Sequence, residues 1–142
     1  MTRIAIIACS RTKLLHAAPA RDLYQGQLFR ASVAYAEATC DRWYVLSALH
    51  HVVDPDEVLE PYERSMADVI RSGRGRTVSP DPRTAWATRC RGQLMGHRYV
   101  LGARVIRGDV VVMLAGRPYA EPLTEWLEAW GAAVDMADGL VS

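Results

Sequence analysis

Apolar residues fall along this chain in short unbroken runs separated by amphipathic stretches. "RIAIIA" at 3–8, "RWYVLSALH" at 42–50 and "DVVVMLAG" at 109–116 are rich in β-branched side chains and predict three strands. "AAVDMADG" at 132–139 predicts a last one. Residues 28–40 place Leu28, Ser32, Tyr35 and Ala36 on one face, with Arg30 and Glu37 outside, which predicts a helix. Asp81 followed by Pro82 supplies a cap and a first-turn proline for a second helix running to about Leu101, with a bend expected near Gly92 or Gly96. From Tyr119 to Trp130, Leu123, Trp126, Leu127 and Trp130 form one stripe that Gly131 stops. Residues 51–63 hold two prolines and five carboxylates and predict a loop or short helix. Residues 71–80, with Gly73, Gly75 and Pro80 among arginines, predict a mobile connection.

Short apolar strands alternating with helices bury both faces of their sheet. The expected fold is therefore a three-layer α/β domain, a mainly parallel open sheet of about four strands with helices on both faces, over residues 1–142. Three strands end in small or polar residues, as "IACS", "VLSA" and "MLAG". In a parallel sheet these endings meet, so Cys9, Ser10, Ser47 and Gly116 share the carboxyl edge where ligands bind.

Composition changes this picture at one point. The chain has sixteen arginines and one lysine, Lys13, in the loop that leaves the first strand. A guanidinium keeps its proton in proteins, whereas an amine can be desolvated, deprotonated and used as base or nucleophile. A lone lysine in an arginine-rich chain is thus a candidate for chemistry; the plainer reading is a solvated loop side chain. Formal net charge is +1, and no apolar run has the length of a membrane span, so a soluble cytoplasmic protein is expected. Cys9, Cys40 and Cys90 are odd in number and widely spaced, which points to a reducing compartment, with no structural metal and no cofactor expected. Charge is uneven: residues 71–107 carry nine arginines against Asp81, and residues 108–142 carry six acids against Arg117. A basic segment of that kind suits phosphate backbones or forms an ordinary solvated helix.

Around Lys13, the "CSRTK" segment offers Cys9, Ser10 and Arg11 to an anionic or carbonyl group. It lacks the glycines of a Walker loop or a dinucleotide fingerprint. Asp22 is expected to hold Lys13 or Arg11, or else to cap a helix. His50 is the expected proton shuttle, because its neighbour His51 points the other way on an extended segment. Tyr24 and Tyr62 are expected to sandwich a ligand ring. Arg30, Ser47, Gly116, Arg117 and Tyr119 complete the expected binding set.

The blocks "IACSRTKL", "APARDLYQGQLFRASVAYAE", "WYVLSALHHVVDPDEVLEPYE" and "VVMLAGRPY" followed by a leucine span most of residues 4–128. They resemble a bacterial and phage family of unknown function related to the peroxide-stress protein YaaA. That resemblance implies association with DNA and protection from oxidative damage, and it matches Cys9, Ser10, Lys13, Leu23, Tyr24, Phe29, Arg30, Ser47, Tyr62, Gly116 and Tyr119. Leu49 and His51 depart from it, standing where the family has lysine and glycine. The family's further turn and helix do not appear before Ser142, so part of the site's cover is expected to be missing or to come from another subunit. The Cys9-x3-Lys13 spacing is also similar to the core of archaeal tRNA-modifying enzymes that act on a deazaguanine base through a reactive lysine.

Two functions follow. One is an enzyme acting at an N-glycosidic bond of a nucleobase, nucleoside or nucleotide, with Lys13 as nucleophile or base. The other is a DNA- or RNA-binding module that grips phosphates through residues 71–107. An accessory protein whose partner is another protein is a further expectation, and so is a homodimer, which Trp126 or Trp130 would signal if exposed, although both also fit the core stripe.

Overall fold

The computed structural model describes residues 2–75, 77, 79–96 and 104–136. Strand β1 (Arg3–Ala8) is followed by β2 (Ala18–Pro19), the short helix α1 (Ala20–Leu23) and helix α2 (Gln27–Thr39). Next come β3 (Arg42–Ser47), β4 (His51–Val53), β5 (Val58–Leu59), helix α3 (Met66–Arg71) and helix α4 (Pro82–Met95). Strand β6 (Val110–Leu114), helix α5 (Arg117–Trp130) and strand β7 (Ala133–Met136) complete the described chain.

The main sheet has the order β4-β3-β1-β6-β7 and is parallel except for the edge strand β4. Strand β1 lies at its centre, and its alternating side chains explain the three layers. Ile4 and Ile6 face a core shared with Trp86, Leu94, Leu123 and Leu127 of α4 and α5. Ala5 and Ile7 face a second core built with Leu23, Phe29 and Ala36 of α1 and α2. All four β1 side chains are at most 1 % exposed, which is why this run is apolar without alternation.

Two expectations are corrected here. The run 42–50 is not one strand: β3 ends at Ser47, whose Oγ accepts from the N–H groups of Leu49 (3.2 Å) and His50 (2.9 Å) and turns the chain. His51 then takes a left-handed φ of 67° and pairs back onto Ser47. The stretch 51–63 accordingly holds two strands, β4 in the main sheet and β5 in a two-stranded ribbon with β2, and no helix. Helix α3 was unforeseen, although Ser65 and Asp68 form a reciprocal capping box at its start. The Asp81 cap on α4 is present, with the Asp81 carboxylate accepting from Thr84 N–H at 3.0 Å. Helix α4 ends at Met95 with Gly96 at φ 81°. The remainder of the helix expected to reach Leu101, and of the last strand expected to reach Gly139, lies outside the described residues. No helix among the described residues is long and apolar enough to cross a membrane.

Candidate functional site

The carboxyl end of β1 and the loop after it, the first turn of α5 and the segment leading into and through α3 line a cleft of about 940 Å³. Cys9, Ser10, Arg11 and Lys13 line it from the loop after β1, and Tyr119 from α5. Glu63, Arg64, Asp68 and Arg71 line it from the segment that leads into and through α3.

Local backbone pairing fixes the position of Lys13. Residue 13 forms an antiparallel bridge with Tyr24, flanked by bonds from Leu14 N–H to the Leu23 carbonyl (2.9 Å) and from Gln25 N–H to the Thr12 carbonyl (2.8 Å). The loop bends because Ser10 Oγ donates to the Thr12 carbonyl (2.7 Å) and accepts from Gly26 N–H (3.1 Å). A Cβ on Gly26 would lie 2.8 Å from Ser10 Cβ, so only glycine fits under this turn.

The amine of Lys13 lies 4.4 Å from the centre of the Tyr62 ring and 5.7 Å from that of Tyr24, and it donates to the Arg11 carbonyl at 3.3 Å. Burial holds its pKa below the ordinary lysine value, while the charges of Cys9 and Glu63 pull it back up. The Cys9 thiol is 3.6 Å from the Tyr119 hydroxyl.

Beneath Lys13 runs a chain of hydroxyls. Tyr62 Oη is 2.6 Å from Ser47 Oγ and 2.6 Å from Tyr24 Oη. Ser47 Oγ already accepts two amide protons, so its own proton goes to Tyr62, and Tyr62 donates onward to Tyr24. Burial pushes Tyr24 up to about 12 and raises Tyr62 and Tyr119 as well, so all three phenols keep their protons near neutral pH. The His50 ring packs edge-on against Tyr62, with centres 5.0 Å apart. His51 is held below the ordinary histidine value, first by burial and then by Arg89.

The residues expected from the sequence are thus divided. Cys9, Ser10, Arg11, Lys13 and Tyr119 meet in the cleft. Ser47, Tyr24, Tyr62 and His50 form its support. Tyr24 is 1 % exposed and its ring meets Tyr62 edge-on, so the two do not open as a sandwich for a ligand ring. Asp22 is exposed on α1 and enters no ion pair among the described residues, so it holds neither Lys13 nor Arg11; the cap of α1 is Pro19. Arg30 is exposed and bonds to the Gln25 side chain. Gly116 caps α5, while Arg117 turns to a second cavity between α5 and β7. Glu63 and Arg64 were missed because nothing in their spacing marks them; the Ser65-x-x-Asp68 capping pattern was the available signal for α3.

Three arginines of the basic segment are spent inside the fold, while Arg74, Arg89 and Arg107 are exposed. Pro122 lacks the amide that would reach the Pro118 carbonyl in α5, and Arg83 Nε donates to that carbonyl at 3.0 Å instead. Arg91 donates to the Pro122 carbonyl (3.1 Å), and Arg104 to the Gln93 carbonyl (2.8 Å) and to Asp54 (3.2 Å).

A family model described as a family of unknown function, DUF6884, matches residues 4–138. The chain belongs to this family. The DUF6884 match takes in both the cleft and the hydroxyl chain beneath it. No curated protein matches the sequence.

Proposed function

We propose that this DUF6884 protein is an enzyme that acts on a nucleobase, nucleoside or nucleotide at its N-glycosidic bond, with Lys13 as the reacting amine. The observation that carries this reading is the position of Lys13, the chain's only lysine, held in the cleft beside Cys9 and Tyr119 with its amine partly desolvated. In the neutral form, Nζ attacks the anomeric carbon as the bond to the base breaks. The bonding pair leaves with the base, which takes a proton from the Tyr119 hydroxyl. Glu63, a carboxylate in the same cleft, stabilises the positive charge that develops on the sugar. The ring oxygen then leaves the anomeric carbon, taking a proton from Nζ to become a hydroxyl and giving a protonated imine on Lys13. Water hydrolyses the imine to free the neutral amine, and the proton released restores the Tyr119 hydroxyl. The likeness of "IACSRTKL" to YaaA-related proteins supports placing this chemistry in nucleic-acid or nucleotide upkeep.

Incubating the protein with a panel of nucleosides, nucleotides and modified DNA in the presence of borohydride tests the reading. The expected result is release of free base and a sugar mass added at Lys13. Base release that persists in Lys13→Arg overturns it.

A further inference from the structure

The charges that line the cleft do not cancel. Asp68 is occupied, accepting from Ser65 N–H at 2.8 Å and pairing with Arg71 at 3.0 Å. Arg11, Lys13 and Arg64 enter no ion pair among the described residues, and of the cleft carboxylates only Glu63 remains to face them. The excess is two positive charges with Lys13 protonated and one with it neutral, and in both cases the guanidiniums of Arg11 and Arg64 keep their charge. Arg64 is half-buried, and a guanidinium so placed keeps its proton and presents a fork that fits phosphate oxygens two at a time. Lys13, whose amine is easier to neutralise, is the poorer anchor and the better reactant.

We infer that Arg11 and Arg64 form a phosphate subsite beside Lys13, and that the ligand is a free mononucleotide ending in a phosphate monoester. This rests on the reading above and narrows its substrate class. A phosphate monoester carries roughly two negative charges near neutral pH, which the two guanidiniums of Arg11 and Arg64 match without Lys13, whereas each diester of a nucleic-acid strand carries one. A strand also needs phosphate contacts that continue beyond the cleft; Arg83, Arg91 and Arg104 are turned onto carbonyl oxygens of the fold, and the exposed Arg74, Arg89 and Arg107 do not line the cleft. A cleft of about 940 Å³ is of the size that holds one small ligand.

Calorimetric titration tests this with AMP, GMP, CMP and UMP, each against its own nucleoside, and with a single-stranded oligonucleotide. At least one nucleotide is expected to bind about tenfold or more tighter than its nucleoside. That advantage is expected to vanish in Arg64→Gln and to fall in Arg11→Gln, with both variants folded by circular dichroism, and to persist in Lys13→Ala. Equal binding of nucleotide and nucleoside, no phosphate-dependent binding at millimolar concentration, or tighter binding of the oligonucleotide overturns the inference. Base release that is indifferent to the phosphate removes this inference and leaves the enzyme reading standing. Phosphate-dependent binding without base release or a Lys13 adduct does the reverse.

Discussion

The protein has two sets of basic side chains, and they do opposite work. Along α4 and the segment after it, Arg83, Arg91 and Arg104 close onto carbonyl oxygens and a carboxylate, one of them replacing an amide that a proline removed. Around the cleft, Arg11, Lys13 and Arg64 enter no ion pair among the described residues. Within the segment most conspicuous as charge these three arginines are structural, and the sparser set faces the cleft. Counting charge along a chain finds basic segments but says nothing about which cations still have charge to offer a ligand.

Substitutions separate the two sets, and the largest effect belongs to Lys13. Lys13→Arg keeps the charge and removes the deprotonatable amine, so base release should fall on the order of 1,000-fold with the unfolding transition unchanged; steady-state assay and thermal melting check both. In the active protein the rate should climb with pH, because the neutral amine is the reactive form. The midpoint of that limb should lie below the 10.5 of an ordinary lysine.

Arg104→Ala probes the structural set. It removes a bidentate pair with Asp54, a bond to the Gln93 carbonyl and a stacked contact with Tyr44. Urea unfolding should show a loss of about 3 kcal/mol, with ligand binding per folded molecule unaltered. Gly26→Ala forces the Ser10 turn to shift and should cost about 2 kcal/mol by the same measurement, together with a drop in turnover, since that turn carries Lys13. Tyr62→Phe keeps the ring under Lys13 but leaves Ser47 and Tyr24 without their shared partner, for a loss of about 1 kcal/mol. Glu63→Gln should lower base release by removing the carboxylate that steadies charge on the sugar. Its smallest effect is on the pH profile, whose limb should move toward lower pH because a charge that raises the Lys13 pKa is gone.

How much of this was legible in the sequence follows from where the information is local. The three central strands, the Asp81 cap and the Gly131 stop are written in nearby residues, and each appears close to its expected place. The turn at Ser47 was not read, because an apolar run continues through Ala48 and Leu49 and only a side-chain bond to two amides breaks it. Convergence of Cys9, Ser10 and Lys13 with Tyr119 follows from parallel topology alone. The roles of Asp22, Tyr24 and Arg30 depend on which way side chains turn once packed, which no spacing encodes. Arg64 and Glu63 reach the cleft through α3, an element too short to announce itself by periodicity.

Trp86 ties these layers together. Its indole N–H donates to the Ser47 carbonyl at 2.9 Å, and its ring meets that of Tyr119 edge-on with centres 5.8 Å apart. It is 3 % exposed, so its fluorescence is shielded from bulk quenchers yet adjacent to a cleft residue. The molecule therefore carries an intrinsic optical reporter: emission that changes on adding a cleft ligand, and no longer changes in Trp86→Phe, registers occupancy without any attached dye.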